Sequence, residues 1–148
     1  MATERCGGVA TPRWFGFALQ SLVYLAHHAD NGTRCPSGEI AGKCYTEATL
    51  MRRILARLAR AQIVEAREGR DGGYFLKKPP SEITLAEVYR ALEMTDPLYA
   101  GMMDTASCGP IGQEMRDAFT EVVQQSEQMM MEQLGRKTIA DLIRQVYG

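Results

Sequence analysis

The sequence contains no apolar run long enough to cross a membrane, and its first eight residues, MATERCGG, lack the hydrophobic segment of a signal peptide. Cysteine is also scarce: the four cysteines, at positions 6, 35, 44 and 108, form no C-x-x-C pair and show no framework spacing. A chain of 148 residues can bury a core without disulfide or metal staples. We therefore expect one folded, cytoplasmic protein with reduced thiols and no membrane partner.

The motifs of common enzymes are missing as well. The sequence has no Ser-His-Asp set, no paired catalytic carboxylates, no phosphate-binding loop and no HExxH motif, so no enzymatic activity is expected. Metal ligands could come from His27, His28, Cys35 and Cys44, but Cys35-x8-Cys44 is not a recognised metal spacing. No metal and no cofactor is expected. The two cysteines are interpreted as packing residues, with a disulfide between them as the alternative.

Net charge is nearly absent, with 17 basic against 18 acidic residues and a formal charge of −1. This balance hides an asymmetry along the chain. Residues 50–80 carry eight basic and three acidic side chains, whereas residues 81–148 carry five basic and eleven acidic ones. A basic middle segment predicts a local surface that binds an anion, while the remainder keeps the protein soluble.

Apolar periodicity predicts a mainly helical chain with one β-hairpin. The predicted elements are a helix over 13–28, a short helix ending near Cys44, a helix capped by Thr46, strands over 63–68 and 73–77, a helix after Thr84, a loop over 94–109, a long helix from Pro110 to about Leu134, and a last short helix. A helix of the length predicted after Pro110 exceeds what a core of this size needs.

The helix after Thr46 has two chemically different faces when it is projected at about 100° per residue. Its apolar face carries Met51, Ile54, Leu55 and Leu58. Its opposite face carries Thr49, Arg53, Arg57 and Arg60. A short helix, a turn, a second helix with an arginine face and a hairpin form the layout of a winged helix-turn-helix, whose second helix enters the DNA major groove. The alternative is a helix face that is merely solvated.

The hairpin is the candidate wing. Arg67 and Arg70 flank its turn, and a narrow basic tip can reach an adjacent minor groove, where the negative potential attracts arginine. Glu68 and Asp71 oppose that attraction. A purely structural hairpin is the alternative interpretation.

Five segments carry a specific pattern: LVYLA at 22–26, EIA at 39–41, MRRILARL at 51–58, EGRDGGY at 68–74 and PPSEITLAEV at 79–88. Together they resemble the Rrf-two (Rrf2) family of bacterial regulators over nearly the whole chain. The resemblance implies a mainly α fold with a small β-hairpin wing. It divides the chain into a winged helix-turn-helix DNA-binding region over 1–93, a loop with a candidate sensor over 94–110, and a dimerisation helix with a C-terminal helix over 111–148.

The same resemblance implies a homodimer that places two recognition helices on double-stranded DNA at a pseudo-palindromic operator. It maps DNA contact onto the wing tip and onto Ser37, Thr46, Thr49, Leu50, Arg52 and Arg53. Two positions depart from the family pattern: Tyr45 replaces a turn glycine found in many members, and Glu68 replaces a wing arginine found in some. Arg67 or Arg70 can substitute for that arginine.

Cys108 is the candidate sensor. Iron-sulfur members of the family use three closely spaced cysteines before the long helix, and this sequence has only Cys108 there, so it resembles the one-cysteine subgroup. A thiol just before a helix start lies near the positive end of the helix dipole, which favours the reactive thiolate. Oxidation or alkylation there would change the spacing of the recognition helices. A small buried residue at a loop–helix junction is the alternative.

The sequence therefore predicts a dimeric, sequence-specific DNA-binding transcriptional regulator, a repressor, whose DNA affinity responds to an oxidant, an electrophile or a small-molecule effector. Two alternatives stay open. One is an iron-sulfur or small-ligand sensor with the same fold. The other is a winged-helix protein-interaction module without DNA binding, which Glu68, Asp71 and the acidic C-terminal half favour.

Overall fold

The computed structural model describes residues 11–28, 34–70, 72–94 and 97–148, so Cys6 and Asp71 lie outside it. Within these ranges the chain is mostly helical and has one two-stranded antiparallel sheet. The elements are α1 (Pro12–His27), α2 (Ser37–Lys43), α3 (Ala48–Arg60), β1 (Val64–Arg67), β2 (Gly73–Leu76), α4 (Leu85–Ala91), α5 (Pro97–Thr105), α6 (Pro110–Gly135) and α7 (Ile139–Tyr147). The predicted fold class, mainly helical with a small hairpin wing, is confirmed.

The core forms where the apolar faces of α1, α3 and α4 meet. On α3 the four apolar residues that the projection placed on one face are all fully buried, and Leu22 of α1 and Val88 of α4 pack into the same cluster. Burying side chains of this size stabilises the fold by roughly 1.5–3 kcal/mol each. The core therefore fixes which face of α3 is left for solvent.

The hairpin pairs Val64 with Leu76 and Arg67 with Gly73, close to the predicted strands. Cys35 adds a bridge on the far side of β2, because its N–H donates to the Tyr74 carbonyl at 3.1 Å and its carbonyl accepts from the Tyr74 N–H at 2.9 Å. Gly73 permits this close approach: its φ is +149°, and a Cβ there would lie 2.7 Å from the Cys35 carbonyl carbon. The wing is thereby tied to the segment that leads into α2.

The C-terminal helix α7 packs against α1, although the prediction grouped it with the dimerisation helix. Its first residue, Ile139, is fully buried in the core and donates its N–H to the Ile83 carbonyl at 2.9 Å. A capping box between Thr138 and Asp141 starts the helix. The backbone hydrogen bond between these distant segments brings α7 back to the core. Hydrophobic periodicity in the sequence does not predict such long-range pairing.

The long helix α6 spans 26 residues, close to the prediction, and contacts α4 and α5. The prediction of a loop over 94–109 is wrong, because α5 occupies Pro97–Thr105. Helix α5 lacks an acidic residue in its first turn and a basic residue in its last turn, carries Gly101 in its middle and exposes much of its surface, including Leu98. It therefore lacks the one-sided apolar pattern by which helices are recognised in a sequence.

Among the helices described, none combines the length and the hydropathy that a membrane span requires.

Candidate nucleic-acid interface

Helices α2 and α3 pack against each other across a tight turn made by Cys44, Tyr45 and Thr46. Tyr45 adopts a left-handed backbone with φ +54°, and the Thr46 N–H then donates to the Ala41 carbonyl at 3.0 Å. Helix α3 begins at Ala48, with Glu47 at its N-cap position. The prediction that Thr46 caps α3 is wrong by one residue.

The solvent-facing side of α3 is polar in its first two turns. Thr49 and Arg52 are exposed, Arg53 is half-buried at the edge of the same surface, and Arg52 Nη2 donates to Thr49 Oγ1 at 3.3 Å. We call these three residues the α3 face. A guanidinium is a planar fork of donors that matches a phosphate or the O6/N7 edge of guanine. The α3 face therefore has the chemistry of a DNA-reading surface.

Arg57 does not join the α3 face, and its predicted outward orientation is wrong. Its guanidinium lies 4.9 Å from the centre of the buried Trp14 ring and donates a hydrogen bond to the Leu92 carbonyl. Helix α1 and the end of α4 cover that flank of α3, which a projection of α3 alone cannot reveal. Arg60, at the end of α3, is exposed and forms an ion pair with Glu93 at 3.7 Å.

Replacing Arg57 with alanine should lower the free energy of unfolding by about 1–2 kcal/mol, because the cation–π contact and the charged hydrogen bond are both lost. Urea denaturation measures the change. The matched control is Arg60→Ala, whose exposed ion pair is worth at most about 1 kcal/mol. Equal stability of the Arg57→Ala protein and the wild type would show that this contact does not hold α1 on α3.

Ser37 and Leu50 flank the α3 face and are both half-buried. Ser37 is the first residue of α2, and Pro36 occupies the N-cap position. Leu50 packs partly against the core, so only a portion of its side chain faces outward. Neither residue is oriented as clearly toward solvent as Arg52.

The wing carries exposed side chains at Arg67, Glu68 and Arg70. Its turn bends sharply: Gly72 donates its N–H to the Gly69 carbonyl at 3.0 Å, and a Cβ on Gly72 would lie 2.3 Å from the Arg67 carbonyl oxygen. This tight geometry keeps the two arginines at a narrow tip. The predicted wing therefore has the required shape, and among its described residues Glu68 lies beside the two arginines.

Arg34 was not identified from the sequence. Its guanidinium lies 5.3 Å from the centre of the Phe75 ring on β2, so it adds a cation beside the wing. The two residues are 41 positions apart, and only the hairpin's attachment to Cys35 brings them together. No sequence pattern signals that contact.

The thiols fall into two groups. Cys35 and Cys44 are buried and unpaired, and burial raises the pKa of both thiols, with Glu39 adding to the effect at Cys35. Both are therefore protonated and unreactive at neutral pH. Beside them, a hydrogen bond to Glu39 is the main cause that raises the pKa of Tyr24 to about 12.

Cys108 is exposed, unlike the two buried thiols. It directly precedes Gly109, the N-cap residue of α6, whose φ is +78°, and its Sγ lies 3.7 Å from the Ser107 hydroxyl. The alternative that Cys108 is a buried packing residue is therefore wrong. Its position is open to soluble reagents and adjoins the start of α6.

Within the described part of the chain, no three His, Cys, Asp or Glu side chains come together in a way that could hold a metal ion. Cysteine thiolates are the usual ligands of iron-sulfur clusters. Two of the three described cysteines are buried in the core, away from the third. The residues described do not fit an iron site within one subunit.

Residues 13–145 match the profile of the Rrf2 family, described as "Iron-dependent Transcriptional regulator". Among curated proteins, the chain is 30% identical over 108 residues to YwnA of Bacillus subtilis, which is named as an HTH-type transcriptional regulator; the match covers 73% of this chain and 80% of YwnA. It is 36% identical over 118 residues to the protein aau3 of Rhizobium meliloti, covering 73% of this chain and 75% of aau3.

Solved structures share the fold. A transcriptional regulator from Lactobacillus plantarum superposes with a TM-score of 0.75 at 22% identity, covering 90% of this chain and 89% of the regulator. CymR of Staphylococcus aureus superposes with a TM-score of 0.63 at 18% identity, covering 88% of this chain and 95% of CymR. At these identities the likeness concerns architecture alone.

Proposed function

The chain belongs to the Rrf2 family of transcriptional regulators, and from that premise we propose that it is a homodimeric repressor that binds a pseudo-palindromic operator and senses a thiol-directed signal. The family is described as transcriptional regulators and YwnA is named as one, so the chain is a regulator and not an enzyme. The observation that carries the DNA-binding proposal is the α3 face, where Arg52 is exposed and Arg53 half-buried, together with a hairpin turn that exposes Arg67 and Arg70.

In the proposed complex α3 enters the major groove. Arg52 and Arg53 contact phosphates or guanine edges there, and Arg67 or Arg70 reaches the neighbouring minor groove from the wing. Glu68 at the wing tip is repelled by the phosphates, so the wing contributes less than α3. A dimer bound across a promoter blocks transcription by occupying the site, which is the basis for proposing a repressor.

The dimer is proposed to form through α6. Met115, Val122 and Met129 are spaced seven residues apart and are 39%, 50% and 71% exposed, so they form an apolar stripe along one side of the helix. We call these residues the α6 stripe. Val123, on another side, is buried against the subunit's own helices. Two copies related by a twofold axis can pack their stripes together, as isologous interfaces require.

Fluorescence anisotropy with a labelled duplex from the protein's own promoter region tests the proposed function. We expect saturable binding that weakens steeply with salt, because cationic side chains release counterions from the DNA. A scrambled duplex of equal length should bind far more weakly. If the protein showed no specific retention and instead co-purified with a stable protein partner, the protein-interaction alternative would replace the DNA-binding proposal.

Cys108 is proposed as the sensor because its thiol is exposed beside the first turn of α6. Oxidation by peroxide converts the thiol to a sulfenic acid and releases water. A reactive aldehyde instead forms a carbon–sulfur bond with the thiol while its carbonyl π bond breaks and its oxygen takes up the thiol proton. Either change adds bulk or polarity next to the proposed dimer helix. The separation of the two α3 helices would then no longer match the operator.

A Cys108→Ser variant should bind the operator as the wild type does but should keep it after treatment with peroxide or a reactive aldehyde. The wild type should lose at least about tenfold in affinity under the same treatment, since interface changes of about 1–3 kcal/mol are typical of such coupling. Cys44→Ser is the control for nonspecific thiol damage, because Cys44 is buried. Equal release from wild type and Cys108→Ser would remove Cys108 from the mechanism.

A further inference from the structure

Tyr45, in the turn between α2 and α3, is 95% exposed. The other large apolar side chains that are exposed among the described residues all lie between Leu98 and Tyr147, in the part of the chain that carries the α6 stripe. Tyr45 lies in the turn after α2 and does not belong to the α6 stripe that the proposed dimer would cover. It needs an explanation of its own.

The backbone of Tyr45 is unfavourable for a tyrosine. Its φ is +54°, a left-handed conformation in which the Cβ of an L-residue crowds the backbone and which glycine adopts freely. A side chain that is 95% exposed makes almost no packing contact within the subunit, so only the backbone hydrogen bonds of the turn offset the strain. Gln62 and Glu93 share this conformation, but their side chains contact Lys77 and Arg60 within the subunit, whereas the Tyr45 side chain faces solvent. Strained residues of this kind cluster at functional sites.

The position of Tyr45 indicates what it contacts. It lies two residues before Glu47, the N-cap residue of α3, and therefore at the end of α3 that carries Thr49 and Arg52. When a recognition helix enters the major groove, its N-terminal residues approach the bases, and the preceding turn passes the phosphate backbone at the groove edge. Tyrosine hydroxyls are among the side-chain groups that donate to phosphate oxygens.

We propose that Tyr45 is a DNA-positioning residue whose phenol donates a hydrogen bond to a phosphate oxygen at the edge of the groove occupied by α3. The inference rests on the proposed function. The contact is neutral, so it strengthens binding to the operator without releasing a counterion. It also carries no sequence information, because every nucleotide presents the same phosphate.

Two variants test the contact. Tyr45→Phe keeps the ring and the backbone strain but removes the donor; it should weaken operator binding about fivefold with an unchanged melting temperature. Tyr45→Gly removes both the ring and the strain; it should weaken binding at least as much while raising the melting temperature by about 2–3 °C. Stability and affinity thus change in opposite directions in Tyr45→Gly, which a purely structural residue would not produce.

The dependence of affinity on salt concentration distinguishes the neutral Tyr45 hydrogen bond from the charged contacts of the arginines. In both Tyr45 variants the slope of log Kd against log salt should match that of the wild type, and the loss should be equal on operator and scrambled duplexes. Tyr147→Phe, which removes an exposed phenol on α7, is the matched control and should bind as the wild type does.

Wild-type affinity in Tyr45→Phe, with the wild-type protein binding its operator normally, would overturn the Tyr45 contact and leave the proposed function intact. If the wild type itself failed to retain the operator at low salt, the proposed function would fall, and the Tyr45 contact with it. A loss confined to Tyr45→Gly would indicate that the ring, and not the hydroxyl, makes the contact, and would also overturn the hydrogen bond.

Discussion

The Arg52→Ala, Arg53→Ala double variant should bind the operator at least about 100-fold more weakly than the wild type at 150 mM salt. The dimer loses four guanidinium groups in this variant, and each contact to DNA is worth roughly 1–3 kcal/mol. Arg52 is exposed, and within the described residues neither arginine takes part in an ion pair that would compete with DNA. Anisotropy titrations at several salt concentrations measure both the loss and its origin.

The dependence of affinity on salt concentration shows whether each arginine contacts a phosphate or a base. If both arginines bind phosphates, the slope of log Kd against log salt should fall by about 0.9 for each guanidinium removed, and binding should weaken equally on all duplexes. If one of the arginines instead contacts a guanine, its replacement with alanine should change the slope little and weaken the preference for one base pair. The two single variants, measured side by side, distinguish these cases.

Arg90→Ala and Arg136→Ala provide the control, because both arginines are exposed but lie on α4 and after α6. Each should retain wild-type affinity. If the Arg52→Ala, Arg53→Ala protein behaved like these controls, α3 would not be the recognition helix. A circular dichroism spectrum matching that of the wild type should accompany the measurement, since neither arginine belongs to the buried core.

The fold was predictable because its main signals are local. The apolar residues of α3 recur at helical spacing and are buried, and glycines bound a hairpin whose strands pair close to the predicted positions. The Thr138 capping box sits where its two residues predict. In each case a few neighbouring residues contain all the information needed.

The orientation of individual arginines was not predictable to the same degree. Projection of α3 treats the helix as isolated, whereas Arg57 is turned inward by Trp14, which is 43 positions earlier, and by Leu92, which is 35 positions later. Arg52, which the projection left off the outward face, is exposed because no neighbouring helix covers it. Which flank of a helix is covered depends on how the other elements pack, and a single sequence does not encode this locally.

The functional interpretation of Tyr45 also required the three-dimensional structure. The sequence shows a tyrosine where a glycine is expected, but only the backbone angle and the exposed side chain reveal strain without internal packing. In the same way, Cys108 could be placed before α6 from the sequence, whereas its exposure required the structure. Tyr45 lies where local preference and global fold disagree, which is where function is typically found.

A Val122→Glu variant should abolish the dimer at micromolar concentration. Val122 lies in the middle of the α6 stripe, and a symmetric interface would bury two new carboxylates near each other without a cation to pair with. Burying an unpaired carboxylate costs several kcal/mol, so the dissociation constant of the dimer should rise by roughly 1000-fold or more. Size-exclusion chromatography with light scattering measures the change directly.

The same variant should lose most of its operator affinity although its α3 face is intact. In a dimer, binding of one recognition helix raises the effective concentration of the second at its half-site, which increases the affinity for the operator. A monomer that binds a single half-site lacks this increase. Gln113→Glu is the matched control, because it adds the same charge on the exposed opposite side of α6 and should remain dimeric. A Val122→Glu protein that stayed dimeric would place the subunit interface elsewhere. A monomer with full operator affinity would instead separate DNA binding from dimerisation, and the two-half-site arrangement would have to be abandoned.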